Sequence, residues 1–360
     1  MGDDAALDDA ARRAGIDPGS FGQLVAGLPE QATEAWDAGR EWAASLTLPA
    51  PRRVVVAGMG GSAIGAEMVA ALGSSRTTTP IEVLRDYTPP ALDADSLFVA
   101  CSFSGNTEEV LTAFDAAGTL GATRAAITTG GKLGERAAKA GVPTFSFAFR
   151  GPPRTALGYG VLPLLALLRR ADVLPVGDEE VEAAITLLKR CSEAAHPDVP
   201  TSSNPPKQIA RRLAGRIPVV VGPGALRVAA SRWAGVIPEN ASQWALSAEL
   251  PELDHNLVAG FALPAAAVDQ LHVVLLDGNG VHPRNRRRVE ITAEELGRAG
   301  VSCEVVHVEG SSGLDSVLHA AYIGDWVSYY LALLNGVDPF EVAPIDRVKA
   351  ALAGHDDPVA

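Results

Sequence analysis

The chain has 360 residues, of which 47% are hydrophobic and 20% are charged. This length suits about two domains of ordinary size, and the hydrophobic fraction is enough for a sizeable buried core. The net charge of −13 argues against nucleic acid or an anionic membrane as the main partner, but it leaves an anionic small molecule open as a substrate.

The first 50 residues predict helices, with a break at residues 17–19. They lack the basic start and the apolar run of a signal peptide. No stretch approaches about 20 uninterrupted apolar residues, so we expect no membrane span and a cytoplasmic protein. The three cysteines are widely spaced and odd in number, which predicts neither a disulfide framework nor a metal site: Cys101, Cys191 and Cys303.

Short apolar strands alternate with helices through residues 51–196. The predicted strands are Arg53–Ala57, Ile81–Leu84, Leu97–Cys101, Arg124–Thr128 and Val142–Phe147. A proline-rich linker at 197–206 follows, and the pattern then restarts with strands at Ile217–Val221, Leu271–Leu276 and Cys303–Val308. We therefore predict an α/β fold with an N-terminal helical extension at 1–50 and two tandem parallel-sheet domains, at 51–196 and 207–360. The similarity between segments 51–60 and 216–224 indicates an internal duplication.

Two loops rich in hydrogen-bond donors follow strands of the first half. One is Gly60-Gly61-Ser62, and the other runs from Ser102 to Thr107 and includes Ser104. Ligands of open parallel sheets bind at the carboxyl ends of strands, where glycines admit a close approach and helix N-termini attract anions. Helix capping would explain Ser104 and Thr107 individually. Two such loops on one sheet favour a phosphate site instead.

A nicotinamide-binding loop is a weaker alternative. Residues 58–63 fit a loose dinucleotide pattern, but the expected acidic residue, Asp86, lies rather far along the chain. The Ser/Thr loop at 102–107 is not something that dinucleotide binding requires.

These motifs together resemble the bifunctional phosphoglucose/phosphomannose isomerases of archaea and some bacteria. The resemblance covers about Val54 to Leu352 and rests on the segments 58–62, 102–107, 127–131, 238–241, 251–256 and 344–349. It implies two sugar-isomerase (SIS) domains, each a flavodoxin-like three-layer αβα unit. It also implies a homodimer with shared active sites and a sugar phosphate as the substrate.

The resemblance further implies a role for each site residue. Glu239 matches the base that moves a proton between C1 and C2, and His255 matches the group that opens the sugar ring. Arg154 matches an arginine that faces the enediolate, and Lys349 matches a lysine near the ring oxygen. The expected phosphate-binding residues are Gly61, Ser62, Ser102, Ser104 and Thr107.

The chemistry of isomerisation agrees with these residue types. A carboxylate with a raised pKa suits the base, a histidine suits acid–base work near neutral pH, and a fixed arginine stabilises the enediolate. We expect no redox cofactor and no metal, since the histidines do not pair at ligand spacing. The alternative interpretation of Glu239 is a helix-end acid, and that of His255 is a hydrogen-bonded core histidine.

A non-catalytic sugar-phosphate sensor with the same fold is the main alternative function, but a sensor needs only the phosphate loops. One departure from the family bears on the sugar used. Counting back from Lys349, the family has a threonine, linked to mannose activity, where this chain has Val342. The resemblance therefore predicts that this protein favours one epimer, glucose 6-phosphate.

Overall fold

A computed structural model describes residues 7–353 as an α/β structure with two parallel sheets. The first sheet has the strand order β2-β1-β3-β4-β5, which is the flavodoxin-like order. Its strands are β1 (Arg53–Ala57), β2 (Ile81–Leu84), β3 (Ser96–Ser102), β4 (Thr123–Thr128) and β5 (Thr144–Ser146). The helices of this half are α1 (Ala10–Ile16), α2 (Phe21–Ala26), α3 (Leu28–Ala44), α4 (Gly60–Gly73), α5 (Glu108–Thr119), α6 (Gly131–Lys139), α7 (Leu157–Arg170) and α8 (Asp178–Ala195).

The second sheet repeats this topology with four strands, in the order β7-β6-β8-β9. Its strands are β6 (Ile217–Pro223), β7 (Leu246–Leu250), β8 (Leu271–Gly278) and β9 (Ser302–Val308). Its helices are α9 (Pro205–Leu213), α10 (Leu226–Ala241), α11 (Ala265–Val268), α12 (Pro283–Arg298), α13 (Gly313–Asn335) and α14 (Ala343–Ala353). The same strand order in both halves agrees with an internal duplication.

The predicted α/β class is confirmed, and several elements differ from the prediction. Helices α9 and α11 were not predicted, and α9 begins at Pro205, inside the predicted linker. Strand β7 was not predicted, because this edge strand is mostly exposed and lacks an apolar run. Helix α10 continues to Ala241, past the predicted end at Val236, although Pro238 lies inside it. Helix α12 begins at Pro283, nine residues before the predicted start at Thr292.

Helix α13 forms the centre of the core. All but three of its 23 residues are buried, and it packs against α8, α9 and α10. The helices of the first 50 residues belong to the same core, where α3 packs along α7 and α8. Within residues 7–353, none of the helices combines the length and apolar character that crossing a bilayer needs.

Candidate active site

The two loops rich in donors lie side by side at the carboxyl edge of the first sheet. Strands β1 and β3 are paired neighbours, and α4 and α5 begin directly after the loops that follow them. Met59 and Thr107 occupy the N-cap positions of these helices, and neither side chain makes a capping hydrogen bond. Uncapped helix starts leave backbone N–H groups for an anion, which the helix dipole also favours.

The hydroxyl groups of the second loop are arranged around this edge. The Ser102 and Thr107 hydroxyls share a hydrogen bond of 2.8 Å. The Thr107 side chain makes no hydrogen bond to the start of α5, so helix capping does not explain this residue. Ser104 is exposed, and its Oγ accepts a hydrogen bond from the Asn106 backbone N–H at 3.2 Å. Gly105 has φ +66°, and a Cβ there would lie 1.9 Å from the Gly130 carbonyl oxygen. Glycine is therefore required for this loop conformation.

The first loop meets the segment that carries Arg154. A Cβ added to Gly61 would lie 3.3 Å from the Pro153 carbonyl oxygen and 3.7 Å from the Arg154 Cα. Ser62, in the first turn of α4, is half-buried beside this contact. The structure thus brings the predicted phosphate loops and Arg154 to one edge of the sheet.

The Arg154 guanidinium is held by neutral acceptors. Its Nε donates to Asn240 Oδ1 at 2.6 Å, and one Nη donates to the Pro339 carbonyl oxygen at 2.6 Å. The other Nη lies 3.6 Å from Glu239 Oε2. The guanidinium also stacks 5.4 Å above the Phe21 ring, a cation–π contact. Burial lowers the pKa of Arg154, and the nearby Glu239 carboxylate raises it.

Glu239 lies near the end of α10, with its side chain 32% exposed. Burial raises its pKa above the ordinary value, while the charges of Arg154, Arg232 and Lys349 act in the opposite direction. Lys349, on the exposed helix α14, therefore lies close enough to influence the carboxylate. A carboxyl group with a raised pKa beside a fixed guanidinium is suited to accept a proton from carbon while the arginine stabilises the resulting oxyanion.

His255 lies apart from Glu239, at the other edge of the second sheet. The end of α10 is tied to the amino edge of the second sheet, because Gln243 donates to the carbonyl oxygen of Arg216, the residue before β6. His255 follows β7 at the opposite, carboxyl edge of that sheet, and it is exposed. Since the five residues of β7 span about 16 Å, Glu239 and His255 of one chain do not meet.

Four residues of this region were missed by the sequence analysis: Phe21, Arg232, Asn240 and Asp325. Asn240 was part of a recognised segment, directly after Glu239, which was the signal available. Phe21 lies in the N-terminal helices, which carried little of the family pattern, and Asp325 lies within an apolar helix. No local pattern in the sequence links these residues to Arg154.

Comparisons with known proteins match this chain to sugar-phosphate isomerases over most of its length. Residues 202–352 match the model of the bacterial phospho-glucose isomerase C-terminal SIS domain. The chain is 35% identical to a bifunctional phosphoglucose/phosphomannose isomerase of Caldicellulosiruptor bescii over 92% of this chain and 98% of the relative. It is 36% identical to the enzyme of the same name from Aquifex aeolicus, over 84% of this chain and 91% of the relative.

The fold is also similar to solved structures. A hypothetical protein from Thermus thermophilus superposes with a TM-score of 0.75 and 18% identity, covering 92% of this chain and 89% of that one. At this level of identity, the likeness supports the fold alone.

The raised pKa of Glu239 predicts how stability depends on pH. Because the unfolded carboxyl group releases its proton near the ordinary value of 4.5, the folded protein holds more protons above that pH. The contribution of Glu239 to the free energy of unfolding therefore falls as pH rises from about 4.5 through the raised pKa. We expect Glu239→Gln to be more stable than wild type at pH 8, with a smaller difference at pH 4, by thermal denaturation.

Glu341→Gln is the control, because Glu341 is exposed and lies outside the contact with Arg154. A Glu239→Gln variant that becomes progressively less stable than wild type as pH rises would contradict this prediction. It would show that the attraction to Arg154 outweighs burial.

Proposed function

The chain belongs to the bifunctional phosphoglucose/phosphomannose isomerase family, and we propose that it interconverts aldose and ketose 6-phosphates through a cis-enediol intermediate. The substrates are glucose 6-phosphate, mannose 6-phosphate or both, with fructose 6-phosphate as the ketose. The observation that carries this proposal is the contact of Glu239 with Arg154 beside two loops that are open to an anion.

The phosphate binds first in this mechanism. The backbone N–H groups at the starts of α4 and α5 and the hydroxyls of Ser62, Ser102, Ser104 and Thr107 hold it at the edge of the first sheet. Gly61 admits the close approach of the backbone. The sugar then extends towards Arg154, which borders this loop.

The proton transfer follows. Glu239, as the carboxylate, takes the proton from C2 of the open-chain aldose and returns it to C1 of the enediolate. The Nη of Arg154 that faces Glu239 stabilises the negative charge on the enediolate oxygens. Lys349 acts near the ring oxygen. A sensor would need only the phosphate loops, so the pairing of Glu239 with Arg154 favours catalysis over regulation.

Ring opening requires His255, and we propose that it comes from the second subunit of a homodimer. Two observations support this. Glu239 and His255 lie at opposite edges of the second sheet. His255 is exposed, and the segment that follows it carries two exposed apolar side chains that another subunit would cover, Leu257 (48% exposed) and Leu263 (78%).

The first prediction from the proposed function concerns the base. We expect Glu239→Gln to lose turnover with fructose 6-phosphate almost completely, while a ligand-induced thermal shift persists, because the phosphate is held by other groups. Both measurements use the same preparation, and Glu341→Gln is the control. Turnover within about tenfold of wild type would exclude Glu239 as the base, since that is only about 1.4 kcal/mol of barrier.

The second prediction concerns the shared site. Mixing inactive Glu239→Gln and His255→Ala chains under subunit exchange should restore activity, because each mixed dimer has one intact site. Random exchange gives at most about one quarter of wild-type activity. No recovery after exchange has been verified by mass spectrometry would mean that both residues act within one chain.

The third prediction concerns the epimer. Val342 lies just before α14, and its carbonyl oxygen accepts hydrogen bonds from the backbone of Ile345 at 2.8 Å and Asp346 at 3.2 Å. We expect wild type to favour glucose 6-phosphate and Val342→Thr to raise mannose 6-phosphate turnover. The added hydroxyl gives a polar group the hydrogen-bond partner whose absence costs about 1–3 kcal/mol, which is about fivefold to 150-fold in rate.

The ratio of mannose 6-phosphate turnover to glucose 6-phosphate turnover separates an effect on epimer choice from an effect of helix capping. A threonine before α14 also caps the helix that carries Lys349, and this effect acts on both sugars alike. Comparable turnover on both sugars in wild type, or an unchanged ratio in Val342→Thr, would contradict a role of position 342 in epimer choice.

A further inference from the structure

Beside Arg154 lies a chain of hydrogen bonds whose direction is determined by its last acceptor. The Ser328 hydroxyl lies 2.8 Å from the Asp325 carbonyl oxygen, one turn earlier in α13. A carbonyl oxygen can only accept, so the Ser328 hydrogen points to it. The Ser328 oxygen must then accept the hydrogen bond from Asn240 Nδ2, at 2.9 Å.

This direction determines the orientation of the Asn240 amide. An asparagine can present either its oxygen or its NH₂ group to a neighbour. With its NH₂ group committed to Ser328, Asn240 turns its oxygen to Arg154 Nε, at 2.6 Å. Asn240 and Ser328 are both buried, so water does not compete for these groups.

A second branch holds the backbone of Arg154. Arg232 is 2% exposed and makes a bidentate ion pair with Asp325, at 2.9 and 2.8 Å. One Nη of Arg232 also donates to the Arg154 carbonyl oxygen at 2.9 Å. Asp325 thus anchors both branches, through its carbonyl oxygen and through its carboxylate.

We propose that Ser328 and Asn240 are positioning residues for the isomerase, which direct Arg154 and preserve its positive charge for the enediolate. The inference rests on the proposed function. Asn240 is a neutral acceptor, so it orients the guanidinium without neutralising it. One Nη is then left facing Glu239, and the Arg154 charge lowers the pKa of this carboxylate.

Two variants test the proposal through the rate and its pH dependence. In Ser328→Ala the Asn240 amide is no longer held, and in Asn240→Asp a carboxylate competes for the Arg154 charge. We expect kcat to fall about tenfold in the first and more in the second, with KM for fructose 6-phosphate within about twofold. In both, the acidic limb of kcat moves to higher pH, because Glu239 loses part of the effect of Arg154.

Matched controls separate positioning from a general loss of stability. Ser316→Ala removes a buried hydroxyl from the same helix, and Asn204→Asp makes the same exchange at another buried asparagine. Both controls should keep kcat and the pH profile of wild type. The proposal is overturned if folded Ser328→Ala and Asn240→Asp keep the wild-type kcat and acidic limb, or if the controls change as much as they do. A wild type without isomerase activity would instead contradict the proposed function.

Discussion

A buried guanidinium held by neutral oxygens is the constraint on which the site depends. Burying a charge is costly unless it is hydrogen-bonded or paired, and Arg154 has only one carboxylate nearby among the described residues, at 3.6 Å. Its other contacts are an amide oxygen, a carbonyl oxygen and an aromatic face. A close bidentate carboxylate would stabilise the buried Arg154 more, but it would neutralise the guanidinium charge. The structure instead keeps a positive charge oriented and only partly compensated.

The duplicated fold explains where this charge lies. In the first half, loops at the carboxyl edge of the sheet leave helix N-termini open to a phosphate. In the second half, the amino edge faces this site, because the end of α10 is tied to the residue before β6. One chain therefore brings together the proposed phosphate loops of one sheet and the proposed base, Glu239, beside the other. The carboxyl edge of the second sheet, with His255, is left to face outwards.

The parts that could be predicted from the sequence are those encoded locally. The strand-loop-helix pattern predicted the α/β class and the position of two donor-rich loops at the carboxyl edge of the first sheet, because glycines, hydroxyls and apolar strands stand next to one another in the chain. The family resemblance supplied Glu239 and Arg154 as candidates. It could not supply Arg232, Asp325 or Phe21, because their role depends on contacts between residues 78 to 133 positions apart in the chain. Strand β7 was missed for a related reason, since an exposed edge strand lacks an apolar signal.

The spacing of residues along two helices connects the local sequence to the contacts around Arg154. In α10, Glu239 and Asn240 follow Arg232 by seven and eight residues, which is about two turns. They therefore lie on the same side of the helix as Arg232. That face is directed towards α13 and the Arg154 segment, where Asp325 and Ser328 are in turn three residues apart on one face of α13. Because α13 is almost wholly buried, it holds the Asp325 and Ser328 side chains in fixed positions. The position of the Arg154 charge therefore follows from the packing of α10 on α13, which is part of the core before any substrate binds.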